Sequence, residues 1–293
     1  MAHVFATLGL ISYGILPFVI NPFIGLLISS IICAIGGGLD EVIISPVMEA
    51  IPGDAKASDM SLLHSFYWGQ VGVVVLSTLY FNLCGIDNWR FLPFIWAIIP
   101  FMNIFLFAIV PIRELNEDNE DIPIKNLFKM REFWLLLVVM VCAGASELAM
   151  SQWASLFAEK GLNVSKTMGD LLGPCMFAVF MGISRVIYGF VGNKIKLEKF
   201  MIVSGALCAL GYLITTVVPQ PIIALMGCGI CGFAVGIMWP GTYSLATRKI
   251  PLGGAGMFAI LALAGDIGCT SGPDIAGIIG NFTGDIKKGL FIS

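Results

Sequence analysis

The sequence predicts an all-α integral membrane bundle, and three observations predict it. Of 293 residues, 58% are hydrophobic and 12% charged, where a soluble domain has about 45–50% and about 25%. The apolar residues gather in stretches of about 18 or more, long enough to cross roughly 30 Å of hydrocarbon as a helix. Runs such as FWLLLVVMVCAGA at 133–145 are apolar on every side, whereas a barrel strand alternates apolar and polar residues. With a net charge of -3 there is no basic face to offer nucleic acid, and the chain is far too apolar for disorder.

Nine such spans follow in order, at 2–20, 22–50, 62–84, 90–111, 133–157, 168–192, 199–217, 220–247 and 253–282. The longest polar stretch, RELNEDNEDIPIKNLFKMRE at 113–132, leaves four spans before it and five after. The expected organisation is therefore an N-terminal half-bundle at 1–111, a central loop at 112–132 and a C-terminal half-bundle at 133–293. Sorting alternate loops puts ten basic residues on one side and five on the other, so the ten-residue side, with the chain start and the central loop, is cytoplasmic. No charged leader with a small-residue cleavage site precedes the first span.

The halves carry matching landmarks. Gly36-Gly37-Gly38 precedes Pro46 in the second span, and Gly232 and Gly236 precede Pro240 in the eighth. Gly69-Gln70-Val71-Gly72 and Gly265-Asp266-Ile267-Gly268 then follow at closely similar spacing. Such parallel repeats are one of the plans on which transporters are built.

Three segments, GGGLDEVIISPV at 36–47, LLHSFYWGQVG at 62–72 and SRVIYGFVGNKIK at 184–196, resemble the major facilitator superfamily. Within it they are similar to the fucose permease-like sugar:proton symporters. The resemblance implies two pseudo-symmetric half-bundles, with the first two segments in the family's fourth and fifth helices and the third as the second-half loop signature. In that signature Gly189 and Lys194 are in place, while Asn193 stands where the family has aspartate and Lys196 where it has glycine. A twelve-helix family then implies that this chain runs from the third helix to the eleventh.

A charge inside the bilayer costs several kcal/mol, so each ionisable residue within a span is a functional candidate. Glu41 shares a helix face with Ser45 and Glu49 and sits where the resemblance places the family's glutamate. It is the first choice for a proton-coupling carboxylate, the alternative being a structural pair with Arg185 or another helix. Asp266 shares a face with Thr270 and Asp274 and corresponds to Gln70 in the repeat. It is the second proton-coupling candidate, the alternative being a salt bridge. Arg185 lies too deep to snorkel and needs a carboxylate, with Asp266 the expected partner in a structural charge pair.

Sugar sites pair carboxylates and amides with an aromatic face. Glu147, Gln152 and Trp153 supply these types within two turns of the fifth span, although Glu147, Ser151 and Ser155 equally suit a seam of helix–helix hydrogen bonds. Trp239 and Tyr243 share a face of the eighth span, where Pro240 can kink the helix and free a carbonyl. They line a cavity or belong to an interfacial aromatic belt. Tyr67 and Gln70 complete the expected solute contacts, and His64 marks the membrane surface.

Other patterns point away from alternative chemistry. The chain has no G-x-x-x-x-G-K-[ST] sequence, and its two histidines, His3 and His64, form no zinc or nucleophile motif. Gly227-x-Gly229-x-x-Gly232 lies within an apolar span and reads as helix packing. The cysteines are mostly inside apolar runs and read as packing residues or free thiols. The expectation is a multi-pass protein of the cell membrane, not an enzyme, with no cofactor or metal. It moves a small polar solute, a sugar, by proton-coupled alternating access, its partners being solute, proton and lipid bilayer. Efflux of a drug or other small molecule is the alternative, as is an inactive truncated fragment of a transporter. A chain without its first family helix is expected to transport poorly.

Overall fold

The computed structural model describes residues 1–51, 53–66, 68–110, 122–162 and 164–293, with side chains described except at 49, 50, 160–162, 193 and 221. Tyr67 and residues 112–121 of the central loop therefore lie outside the described residues, as do the side chains of Glu49 and Asn193. The helices are α1 (Ala2–Val19), α2 (Pro22–Ala50), α3 (Lys56–Ser65), α4 (Trp68–Cys84), α5 (Leu92–Ile109), α6 (Ile124–Leu127) and α7 (Arg131–Leu162). They continue as α8 (Lys166–Asp170), α9 (Met176–Val191), α10 (Leu197–Val217), α11 (Pro221–Val235), α12 (Met238–Lys249), α13 (Gly254–Thr283) and α14 (Ile286–Ile292). Among the described residues there is no strand, and nine helical stretches are long and apolar enough to span a membrane. These nine match the expected ones in number and order. An all-helical answer follows from the solvent, because lipid offers backbone N–H and C=O groups no partner and a helix satisfies them internally.

Three spans are less regular than their sequences suggested. The third begins at Lys56 rather than at 62 and is two helices, α3 and α4. The sixth passes from α8 through a π-helical turn, Leu171–Cys175, before α9. Pro174 lies in that turn and lacks the N–H that a regular helix would use. The eighth is interrupted at Gly236 and Ile237, between α11 and α12. Pro240 explains this break, since its missing N–H leaves the Gly236 carbonyl without its helical donor.

Contacts divide the chain into two compact units, Met1–Ile51 with Leu76–Glu117, and Pro52–Val75 with Asp118–Ser293. In the first unit, α1 and α2 form a hairpin. Asn21 caps α2 by accepting from the N–H groups of Phe23 and Ile24 at 3.1 and 3.3 Å, and Pro22 follows with its φ preset. The hairpin closes on small residues. A Cβ at Gly9 would stand 2.5 Å from Cys33 Cα, one at Gly25 would stand 2.6 Å from Pro17 N, and one at Gly36 would strike Ala6 N. Each pair is nearly equidistant from the turn, so His3 comes to face Asp40 and Tyr13 to face Ser30, at 3.1 and 2.7 Å.

The second unit packs around larger side chains. Phe133, Leu136, Met140, Trp239, Tyr243, Phe258 and Leu261 form one buried cluster. Met150, Phe157, Phe177, Met181, Cys228 and Cys231 belong to another. Glycines again let backbones approach: Gly144 meets Gly265 O, Gly268 meets Val141 O, and a Cβ at Gly272 would lie 2.6 Å from Ala145 O, all between α7 and α13. Gly227 packs on α10, and Gly232 and Gly236 pack on α9, as expected of the small-residue spacing. All eight cysteines are free thiols.

Candidate functional site

The polar interior of the second unit is organised by Arg185 on α9, which is 3% exposed. Its Nε donates to Gly236 O at 2.8 Å, the carbonyl that Pro240 leaves free, and one terminal nitrogen donates to His64 O at 2.9 Å, in the last turn of α3. The other terminal nitrogen lies 3.8 Å from Glu147 Oε2. The α3 contact is returned by Ser61, whose hydroxyl donates to Arg185 O at 2.8 Å. Glycines bring α9 this close to α3: a Cβ at Gly189 would lie 2.5 Å from Leu62 Cγ, and one at Gly192 would lie 2.8 Å from Ser58 Oγ. Both glycines belong to the 184–196 loop signature.

The expected partner of Arg185 was Asp266, and the structure corrects this. Asp266 is exposed on α13, while Glu147 of α7 is buried and supplies the carboxylate. Sequence spacing could not select between them, because the choice depends on which faces of α7, α9 and α13 meet. The Glu147, Ser151, Ser155 stripe is buried throughout. Its outer end is tied locally, with Ser155 donating to Asp170 at 2.5 Å and Lys166 donating to both Ser155 and Asp170 at 2.7 and 2.6 Å.

The remaining expected residues fall in several places. Trp239 and Tyr243 are buried together at 6.4 Å between ring centroids, with Tyr243 also 5.2 Å from Phe258 and 6.2 Å from His64. The face of α13 at Gly265 lies against the Trp239 ring, where a Cβ would come within 2.6 Å. Gln70 is half-buried, and its Oε1 is enclosed without a hydrogen-bond partner among the described residues. Gln152 is exposed on α7. Trp153, next to it, donates from Nε1 to Pro273 O at 3.0 Å and lines a cavity of about 510 Å³ with Phe157, Asn281, Asp285 and Lys287. Glu147, Trp239 and Tyr243 thus contribute to the packed interior, Trp153 to a separate cavity, and Gln152 and Asp266 to the surface of this unit.

In the first unit, Glu41 is half-buried on α2. Beside it Asp40 meets His3, whose ring also packs at 4.9 Å from Phe107 of α5. That pair was not anticipated. The signal was the short α1–α2 turn, which fixes which residues of an antiparallel hairpin face each other.

One surface feature stands out chemically. Asp266, Thr270 and Asp274 are exposed along one face of α13, four residues apart within a single span. Ionisable groups within a membrane span are costly against hydrocarbon and as a rule face the bundle interior or water.

A profile of the Major Facilitator Superfamily matches residues 2–273. Among solved structures, the E. coli fucose:proton symporter FucP is similar with a TM-score of 0.75 and 14% identity, over 99% of this chain and 80% of that one. The proton:xylose symporter XylE is similar with a TM-score of 0.69 and 16% identity, over 99% and 76%. The human organic anion transporter TETRAN has a TM-score of 0.73 and 13% identity, over 99% and 73%. No curated protein sequence matches the chain.

Proposed function

The chain belongs to the major facilitator superfamily, and on that premise we propose that it is a secondary transporter of the cell membrane that carries a sugar together with a proton by alternating access. The observation that carries this reading is the exposed stripe of Asp266, Thr270 and Asp274 within a membrane span. A stripe of this kind needs water or solute against it, and a transport path supplies both. Asp266 is then placed to exchange protons with that path. Glu41 takes the same role in the first unit, by its depth in α2 and by the family's glutamate at that position. Gln70, whose Oε1 is enclosed without a hydrogen-bond partner among the described residues, and Gln152 on the surface offer amide groups to sugar hydroxyls, and Trp153 offers an aromatic face in its own cavity. Glu147, Trp239 and Tyr243, packed in the interior, support the solute path from behind. The similarity to FucP and XylE, both named as sugar:proton symporters, favours a sugar over an amphipathic drug.

The test has two parts. Single cysteines at Asp266, Thr270 and Asp274, in a chain whose native cysteines are replaced, should react with a membrane-impermeant methanethiosulfonate. Ile267 and Ile278, exposed on the same helix, should not. Equal protection of all five would end the reading of a water-lined path. In proteoliposomes, radiolabelled hexoses and pentoses should enter faster under an inward proton gradient, and Glu41→Gln and Asp266→Asn should abolish that dependence while leaving solute exchange. Gradient-insensitive uptake by the unaltered chain would remove the proton from the mechanism.

A further inference from the structure

We infer that Glu147 is a positioning residue for Arg185, and that a proton on Glu147 opens a clamp by which Arg185 ties the end of α3 to the break between α11 and α12. The two carbonyls that Arg185 holds are of one kind. Gly236 O has lost its helical donor to Pro240, and His64 O lies in a terminal turn where the backbone bond it receives is the short-range one from the Phe66 N–H. One buried guanidinium therefore completes two interrupted helices at once, and Ser61 makes the arrangement reciprocal.

Glu147 stands differently toward it. At 3.8 Å it balances the charge of the guanidinium without forming a short hydrogen bond. Protonation of the carboxylate leaves both carbonyl bonds geometrically intact and removes a negative charge that favours a cation in this dry setting. The guanidinium then gains by moving toward water or solute, and the two carbonyls are released together. The only covalent change is the O–H bond formed on Glu147, with the proton drawn from the aqueous path.

Other titratable groups near the pair do not take this part. The rings of His64 and Tyr243 lie 6.2 Å apart and tilted at 33°, and Tyr212 of α10 donates to Ser146 O at 2.8 Å. Cys208 of α10 and Cys231 of α11 lie 3.7 Å apart and pair with one another. From α13, Asp266 is exposed. None of these is shown as an ion pair with Arg185, and Glu147 is.

The purpose of such a clamp rests on the transport reading, but its test does not. Hydrogen–deuterium exchange of the full chain in phosphatidylcholine nanodiscs, without solute, would be followed at acid and neutral pH and corrected for intrinsic rates. The amides at 64–69 and 236–241 should both exchange several-fold faster at acid pH, and together. Glu147→Gln should exchange fast in both segments at either pH, and Glu147→Asp should keep the pH step. Arg185→Lys, which keeps the charge but loses the planar fork, should be fast at both. The inference fails if the unaltered chain shows no pH step, which needs no variant to fold, or if Glu147→Gln keeps it. Uptake without the step refutes the clamp alone, and the step without uptake refutes only the transport reading.

Discussion

The two units are made from equally apolar helices and are held together differently. The first closes on small residues: Thr7, Gly9, Gly14, Pro17, Ser29 and Ala97 are buried, while its large side chains, such as Phe23, Leu76 and Phe105, are exposed. The second buries Phe133, Phe177, Tyr188 and Tyr243, and places a charged pair among them. In lipid, apolar contact gives no hydrophobic gain over apolar solvent, so association depends on close backbone approach and on polar bonds. The first unit relies mainly on the first of these devices, its polar pairs His3–Asp40 and Tyr13–Ser30 lying partly or wholly exposed, and the second uses both with its charged pair buried. The second is therefore expected to be more rigid and also more sensitive to the loss of a single group.

The comparison can be broken from either side. The largest effect is expected at the α7–α13 seam. Gly268→Leu drives a side chain into Val141 O and should cost about 3 kcal/mol or more, seen as loss of monodisperse protein on size-exclusion chromatography. Arg185→Ala is expected to cost a comparable amount, because it removes the guanidinium beside the buried carboxylate of Glu147. It should cost about 3–5 kcal/mol in SDS-titrated unfolding followed by fluorescence of Trp68, Trp134, Trp153 and Trp239, and little when followed by Trp89 and Trp96 of the first unit. Gly36→Ala reverses that localisation, with about 1–3 kcal/mol read at Trp89 and Trp96. Asp40→Asn is the smallest, since Asp40 is 38% exposed and its pairing with His3 is worth under about 1 kcal/mol. A loss as large as that of Arg185→Ala would mean that the first unit, too, depends on a charged pair.

The spans were legible because nine long apolar runs leave a helix as the one way to satisfy their backbones. Interruptions were harder to read, since a proline reports a missing N–H but not how the chain answers. Pro46, Pro100 and Pro273 sit inside continuous helices, while Pro240 follows a break and Pro174 lies in a π turn. Within the site, the freed carbonyl before Pro240 was readable from one segment. Its filling by Arg185 was not, because donor and acceptor lie 51 positions apart. The pairing of Arg185 with Glu147 rather than Asp266 had the same cause: each helix shows its polar face in its sequence, but not which face it meets.

The π turn at Leu171–Cys175 bears on how this chain should be aligned with others. One residue added to a helical turn advances everything after it by about 100°. Arg185 lies downstream of that phase change, so its inward direction is set partly by a residue count ten positions earlier. Deleting one residue between 171 and 175 would swing the guanidinium by more than a quarter of a turn without altering any group it touches. A relative that lacks the turn must make up the phase elsewhere in the same helix, or carry its arginine one place along.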